Sequence, residues 1–334
     1  MFQKILFTRV AILVFAAGSL GFGGLQCVAA PAVTVQITNY HGWKEACRIR
    51  SKTAEIVVVP AIGRVMQFGA LGEPGVFWEN RELDGTQFST SIDVWRTNEW
   101  INLGGDKSWP APEGEWGHQT GRTGWRPPPG FDGRPCKIKL ETDGVELISE
   151  VDPFYGVQVS RRIHLDAKDL KMTIRTRFRK VTGPSIQASV WVITQFQEPL
   201  RLYLPIATPV SFPSGYRALS KDLPPDLRAE RGVLSLSRDS KSAYKIGSAS
   251  SVLLWVGEKW MCRIESPRTE QGSYPDGGCS GEIYTNPDPR RYVELETLGP
   301  LSPLNPGAQI ERTNRYLLIP RRHADPDRDA REIL

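Results

Sequence analysis

The feature that most constrains this chain is a long succession of short β-prone runs, each closed by a turn signal. Lys137–Thr142 and Val145–Val151 flank Asp143-Gly144, a dipeptide suited to the positive-φ positions of a tight hairpin. Val157–Leu165 and Lys171–Lys180 flank the polar stretch Asp166–Leu170. Within Lys171–Lys180, Met172, Ile174, Thr176 and Phe178 fall on one face. Lys171, Thr173, Arg175 and Arg177 fall on the other, the period of two that marks a half-buried strand. Val33–Thr38, Ala54–Pro60, Arg64–Gly69, Ile186–Phe196, Leu200–Leu204, Val233–Ser237, Ser251–Val256, Trp260–Glu265, Gly281–Thr285, Arg291–Leu298 and Gln309–Ile319 continue the series. With 26 prolines and 31 glycines, long helices are disfavoured. Only Gly215–Ser220 and Pro225–Arg231 read as short helical turns. The pattern predicts an all-β chain, a large antiparallel sandwich or barrel with very little helix.

The N-terminus reads as a secretory signal peptide, residues 1–29. Lys4 and Arg9 form a positive n-region, and an apolar run from Val10 to about Phe22 follows, too short for a membrane span. Cleavage after Ala29 fits better than after Ala30, because Pro31 would follow the second cut. The expected location is the periplasm or the extracellular space, with no membrane span after cleavage. Residues 30–320 then form one β domain, and the charged stretch 321–334 reads as a loosely attached tail. Losing Lys4 and Arg9 lowers the formal charge from +5 to +3, too mild to call for a nucleic-acid partner. The run Arg175, Arg177, Arg179, Lys180 reads as the solvent face of a strand.

Four cysteines follow the signal: Cys47, Cys136, Cys262 and Cys279. An even number in an exported chain favours disulfides, and three pairings are possible. Cys262 sits late in one run and Cys279 early in the next, so a hairpin between them favours Cys262–Cys279 and leaves Cys47–Cys136. No C-x-x-C spacing occurs, and no metal or cofactor is implied.

The one long irregular stretch, about Arg81 to Pro135, holds Trp95, Trp100, Trp109, Trp116 and Trp125. A solvated spacer would not carry five indoles; a loop folded back onto a sheet would. Within it, Asn102-Leu103-Gly104-Gly105-Asp106-Lys107-Ser108-Trp109-Pro110 joins a carboxylate, an ammonium and an indole. Flat rings that stack on C–H groups, beside polar groups that bond hydroxyls, suit a sugar. Gly104-Gly105 lacks the further glycines and the helix of a phosphate loop. Glu294 and Glu296 form a second candidate. On a strand they share a face about 6–7 Å apart, and in a cleft their repulsion and desolvation would raise one pKa. On a surface they are two ordinary glutamates. Tyr40-His41-Gly42-Trp43 with Arg64 is a third candidate, and His118 lies beside the tryptophan-rich stretch. Neither the G-x-S-x-G elbow nor the H-E-x-x-H zinc motif occurs.

Three segments carry a family resemblance. They are Val58-Val59-Pro60-Ala61-Ile62-Gly63-Arg64-Val65-Met66-Gln67-Phe68, Leu103–Pro112 and Leu295-Glu296-Thr297. Together they resemble the galactose-mutarotase-like superfamily and, within it, an uncharacterised bacterial family of exported β-sandwich proteins. The resemblance implies a many-stranded supersandwich with a sugar site on a concave sheet. It implies Glu296 as the base or hydroxyl acceptor of an aldose-epimerase-like enzyme. Arg64, Asp106, Lys107, Gln195 and Glu294 would be polar contacts, and Trp109 and Trp191 stacking platforms. Gln187–Gln195, the strand that holds the catalytic histidine in aldose epimerases, contains none here. A non-catalytic carbohydrate-binding protein of the cell envelope is therefore the alternative to an enzyme.

Overall fold

Strand alternation sorts the chain into two sheets whose apolar faces meet. The structure is a computed structural model that describes residues 32–87, 100–122, 125–206, 212, 214–287 and 289–334. Residues 1–29, expected to be a signal peptide, and Trp95 lie outside the described residues. Numbered in chain order, one sheet runs β1 (Thr34–Tyr40), β2 (Trp43–Arg50), β3 (Ala54–Val59), β4 (Arg64–Ala70), β5 (Asp106–Ala111), β10 (Ile186–Gln197), β19 (Tyr292–Leu298), β18 (Gly281–Thr285), β15 (Tyr244–Ser248) and β12 (Arg217–Ala218). β20 (Ser302–Leu304) pairs with the start of β10. The second sheet runs β13 (Arg228–Glu230), β14 (Val233–Leu236), β11 (Arg201–Pro205), β16 (Val252–Val256), β17 (Trp260–Glu265), β21 (Gln309–Pro320), β9 (Lys171–Lys180), β8 (Val157–Leu165), β7 (Gly144–Val151) and β6 (Lys137–Leu140). This is the antiparallel supersandwich that the strand pattern and the resemblance predict.

The main core lies between the sheets. Val58, Phe68, Phe196, Ile283 and Leu295 from the first sheet join Leu147, Ile163, Ile174, Leu253, Ile264 and Tyr316 from the second. β9 buries Met172, Ile174, Thr176 and Phe178, as its alternation predicts. The Asp143-Gly144 hairpin forms between β6 and β7.

Four expectations are corrected. The stretch around Lys107 is no loop: β5 runs through the middle of the first sheet, beside β10 along its length and touching β4 at Val65–Asp106. Beyond Asp106 one side of β5 has no β4 partner, which leaves a place for Pro110. Gly104 and Gly105 (φ +89° and +72°) launch it; a Cβ on either would lie 2.4–2.5 Å from a backbone oxygen of Trp78 or Val65. The two short helical turns are instead the edge strands β12 and β13, whose backbones are captured by β15 and β14. All four cysteines are free thiols. Cys262 cannot form the expected hairpin with Cys279, because β17 pairs with β16 and β21 in the second sheet while β18 belongs to the first. Cys47 and Cys136 both abut the main core, unbonded.

The fourth concerns the C-terminal stretch, which is ordered. It ends in a helix, Pro326–Ile333, capped by the Asp325 side chain and carrying proline at its first position. Asp329, 1% exposed, accepts from Arg321 Nε at 2.9 Å and from two backbone N–H groups. No described helix is long and apolar enough to cross a membrane.

Candidate functional site

Register fixes which side chains share the outer face of the first sheet. Across β10 and β19, Gln195 lies opposite Glu294 and Ile193 opposite Glu296. On the other flank of β19, Tyr284 faces Glu294 and Glu282 faces Glu296. β5 sets Trp109 beside Trp191 and Lys107 beside Ile193, and β15 sets Lys245 beside Tyr284. Every residue of β19 is buried, although its inner face alone meets the main core. The tryptophan-rich stretch covers the other face, so Glu294 and Glu296 are not surface glutamates.

A cavity of about 260 Å³ opens there, close to the lower end of small-molecule sites, about 300 Å³. Trp100, Trp109, Trp125, Trp191, Tyr284 and Tyr292 wall it; Glu113, Lys245, Glu294 and Glu296 are its charged lining. The indoles brace one another edge to face, with Trp109 5.5 Å from Trp191, 5.9 Å from Trp125 and 6.0 Å from Trp100 between centroids.

Glu296, 1% exposed, accepts from Trp191 Nε1 at 2.7 Å and pairs with Lys245 Nζ at 2.9 Å, both through Oε2. Lys245 also reaches Glu282 Oε2 at 2.8 Å and sits 4.5 Å from the Trp191 ring centroid. Burial pushes the Glu296 and Glu282 carboxyls above the usual range, Glu282 well above, against the pull of Lys245. Burial alone would lower the Lys245 ammonium, but these two carboxylates hold it well above its ordinary value. Glu294 accepts from Gln195 Nε2 at 2.7 Å, with Lys107 Nζ at 3.5 Å. Lys107 in turn lies 4.4 Å from the Trp109 centroid, and burial lowers its pKa. The Trp109 indole N–H and the Gln195 carbonyl oxygen are buried with no partner among the described residues.

Of the residues expected from sequence, Glu294, Glu296, Trp109 and Trp191 line the cavity. Gln195 and Lys107 stand behind Glu294 and position it. Arg64 is one layer further back, paired with Asp132 and bonded to Gly104 O at 2.8 Å; Asp132 also accepts from Trp100 Nε1. Asp106 is a correction. It projects into the space between the sheets, wholly buried, where Arg161, Thr194 and Tyr316 bind its carboxylate. Alternation requires this: with Lys107 on the outer face, Asp106 must point inward.

Neither histidine candidate reaches the cavity. His41 lies beside Arg81 and Glu79 at the β1–β2 turn, and His118 is exposed near Glu115. Sequence reasoning missed Glu113, Lys245, Glu282 and Tyr284. The alternation of Gly281–Thr285 places Glu282 and Tyr284 on one face and could have flagged them; Lys245, after the polar run Ser240–Ser242, carried no signal. Among the described residues, Glu141, Asp143 and His164 bring three possible metal donors together. Arg162 already donates to Glu141, and His164 Nδ1 lies 2.8 Å from Asp143, so the trio is satisfied as an ion-pair cluster.

No family model matches this chain, and no curated protein matches it. Solved structures do. A candidate aldose 1-epimerase from Escherichia coli K12 is similar over 86% of this chain and 100% of its own, with a TM-score of 0.54 and 13% identity. A second candidate aldose 1-epimerase, from Klebsiella pneumoniae subsp. pneumoniae, is similar over 90% of this chain and 85% of its own, with a TM-score of 0.54 and 10% identity. A galactose mutarotase-like protein from Lactobacillus casei is similar over 82% and 100%, with a TM-score of 0.52 and 8% identity. At such identities the likeness is one of architecture, not of chemistry. The chain therefore has the galactose-mutarotase-like fold.

Proposed function

We propose that this chain binds a carbohydrate in the tryptophan-walled cavity. The observation that carries the reading is the juxtaposition of indole walls and two carboxylates with a buried indole N–H, that of Trp109, that has no acceptor among the described residues. A sugar ring offers C–H faces to the indoles, hydroxyl hydrogens to Glu294 and Glu296, and a hydroxyl oxygen to Trp109 Nε1. Lys245, Gln195 and Lys107 hold the carboxylates in place, so their geometry is set before a ligand arrives. Export to the periplasm or extracellular space belongs to the same reading and rests on residues 1–29. Sequencing the N-terminus of the mature protein checks it, with residue 30 expected first. The binding itself is tested by titrating hexoses into the purified protein and following tryptophan fluorescence. Saturable change that weakens at least tenfold in Glu294→Gln is expected; a flat response across the panel removes the reading.

A second reading, aldose-epimerase-like turnover, is favoured by Glu296, which lies in the cavity lining where the resemblance puts the base. There Glu296 would take the proton of the anomeric hydroxyl while the ring C–O bond breaks, and an acid would protonate the ring oxygen. The raised Glu296 pKa suits a base working nearer neutrality. Lys245 is the one ammonium among the described lining residues, and its tight hold by two acidic side chains makes it a reluctant acid. This is why binding is the leading reading. Polarimetry of fresh sugar solutions separates the two: turnover predicts accelerated rotation change that Glu296→Gln abolishes, and binding alone predicts none.

A further inference from the structure

Among the described residues, the charges around the cavity do not balance evenly. Lys245 offsets Glu296, and Lys107 stands beside Glu294. Glu113, just past β5, is the third carboxylate in the lining, and it has no ion-pair partner among the described residues. The indole of Trp125 is a polar neighbour of its carboxylate. Trp125 is 48% exposed, an unusual cost for so large an apolar ring, and it flanks the same rim with Trp100 at 5.4 Å. The charged groups that act on Glu113 are Lys245, which favours the carboxylate, and Asp276 and Glu294, which oppose it. Glu113 is exposed at the rim, and partial desolvation there raises its pKa, with Lys245 and the Trp125 indole acting against that rise.

We infer that Glu113 sets the charge class of the ligand: the cavity takes an amino sugar ahead of its neutral counterpart and rejects uronates and sugar phosphates. The inference rests on the sugar-binding reading and deepens it. A ligand ammonium at the rim would meet an unpaired carboxylate and the faces of Trp100 and Trp125, a combination that attracts cations. A carboxylate or phosphate would meet three glutamates, with both nearby lysine ammoniums already engaged. An ammonium close to Glu113 would favour its ionised form, so the preference should fade in acid as Glu113 takes up a proton.

The test uses the mature protein and four probes on one skeleton: glucosamine, glucose, glucuronate and glucose 6-phosphate, with the galactose series run in parallel. Affinities are read near neutral pH and low salt by tryptophan fluorescence or calorimetry. Glucosamine should bind about tenfold more tightly than glucose, and both anions at least about tenfold more weakly. High salt should shrink the amino-to-neutral ratio, because the rim is exposed. Glu113→Gln should bring that ratio close to one; the site is exposed, so the variant should fold. Equal binding of amino and neutral sugars, or a ratio unmoved by Glu113→Gln, overturns the inference while leaving carbohydrate binding intact. Absence of binding by all probes overturns both.

Discussion

Asp106 and Lys107 are neighbours on β5 and belong to different worlds. Asp106 points between the sheets, where Arg161, Thr194 and Tyr316 engage its carboxylate from β8, β10 and β21. Lys107 points outward to Glu294 and lies 4.4 Å from the Trp109 ring centroid, beside the cavity. The inner constellation is closed: neither carboxylate oxygen of Asp106 lacks a donor, and it ties three strands of two sheets together. The outer one is open: among the described residues nothing bonds the Trp109 N–H or the Gln195 carbonyl, and nothing forms an ion pair with Glu113. Buried polar groups are costly unless satisfied, so the first kind of cluster serves the fold. The second keeps capacity that no described residue uses.

The largest expected effect breaks the inner cluster. Asp106→Ala leaves Arg161 buried without its counter-ion and should destabilise the fold by about 3–5 kcal/mol, read by denaturant unfolding. If Glu296→Gln costs as much, the two clusters do not differ in kind. On the outer face, Glu296→Gln and Glu294→Gln should instead weaken sugar binding, each by about ten- to a hundredfold, with smaller stability losses.

Glu282 sharpens the contrast through pH. Its folded pKa is raised, so on acidification Glu282 takes up its proton earlier in the folded protein than in the unfolded chain, where that happens at about pH 4.3. That contribution to stability is complete below the unfolded value and is lost as pH rises toward the folded pKa. Glu282→Gln should therefore flatten the decline of stability above the ordinary glutamate range and change little in acid. An unchanged pH profile would contradict the assignment. The smallest effect is expected from reduction. With all four thiols free, dithiothreitol should leave the thermal midpoint unmoved, whereas a bond between Cys262 and Cys279 would link the two sheets and make stability sensitive to it.

The strands were legible wherever an apolar face alternates with a polar one, as in β9, because burial on one side only writes a period of two into the sequence. β5 was not, since Gly104-Gly105 and Pro110 carry turn chemistry and both of its faces are buried. The helix Pro326–Ile333 had its start signal in Asp325-Pro326. It lacked an apolar stripe because it docks through Asp329 and Ala330. At the site, the glutamate pair and the tryptophan-rich stretch stood out locally. Their meeting did not: Lys107 and Glu294 are 187 residues apart, and only sheet order brings β5, β10 and β19 side by side. Asp106 was misassigned for the same reason, because a residue pair says nothing of which face is inner until the strand is recognised.

The most direct test of the central claim is the ¹H–¹⁵N spectrum of the indole N–H groups, with the Trp109 signal assigned by its loss in Trp109→Phe. Titration with a sugar that fits the cavity should move that signal saturably as its proton gains an oxygen acceptor, and Glu294→Gln should shift the midpoint to higher concentration. A Trp109 signal that stays in place across neutral, amino and acidic sugars would contradict the account.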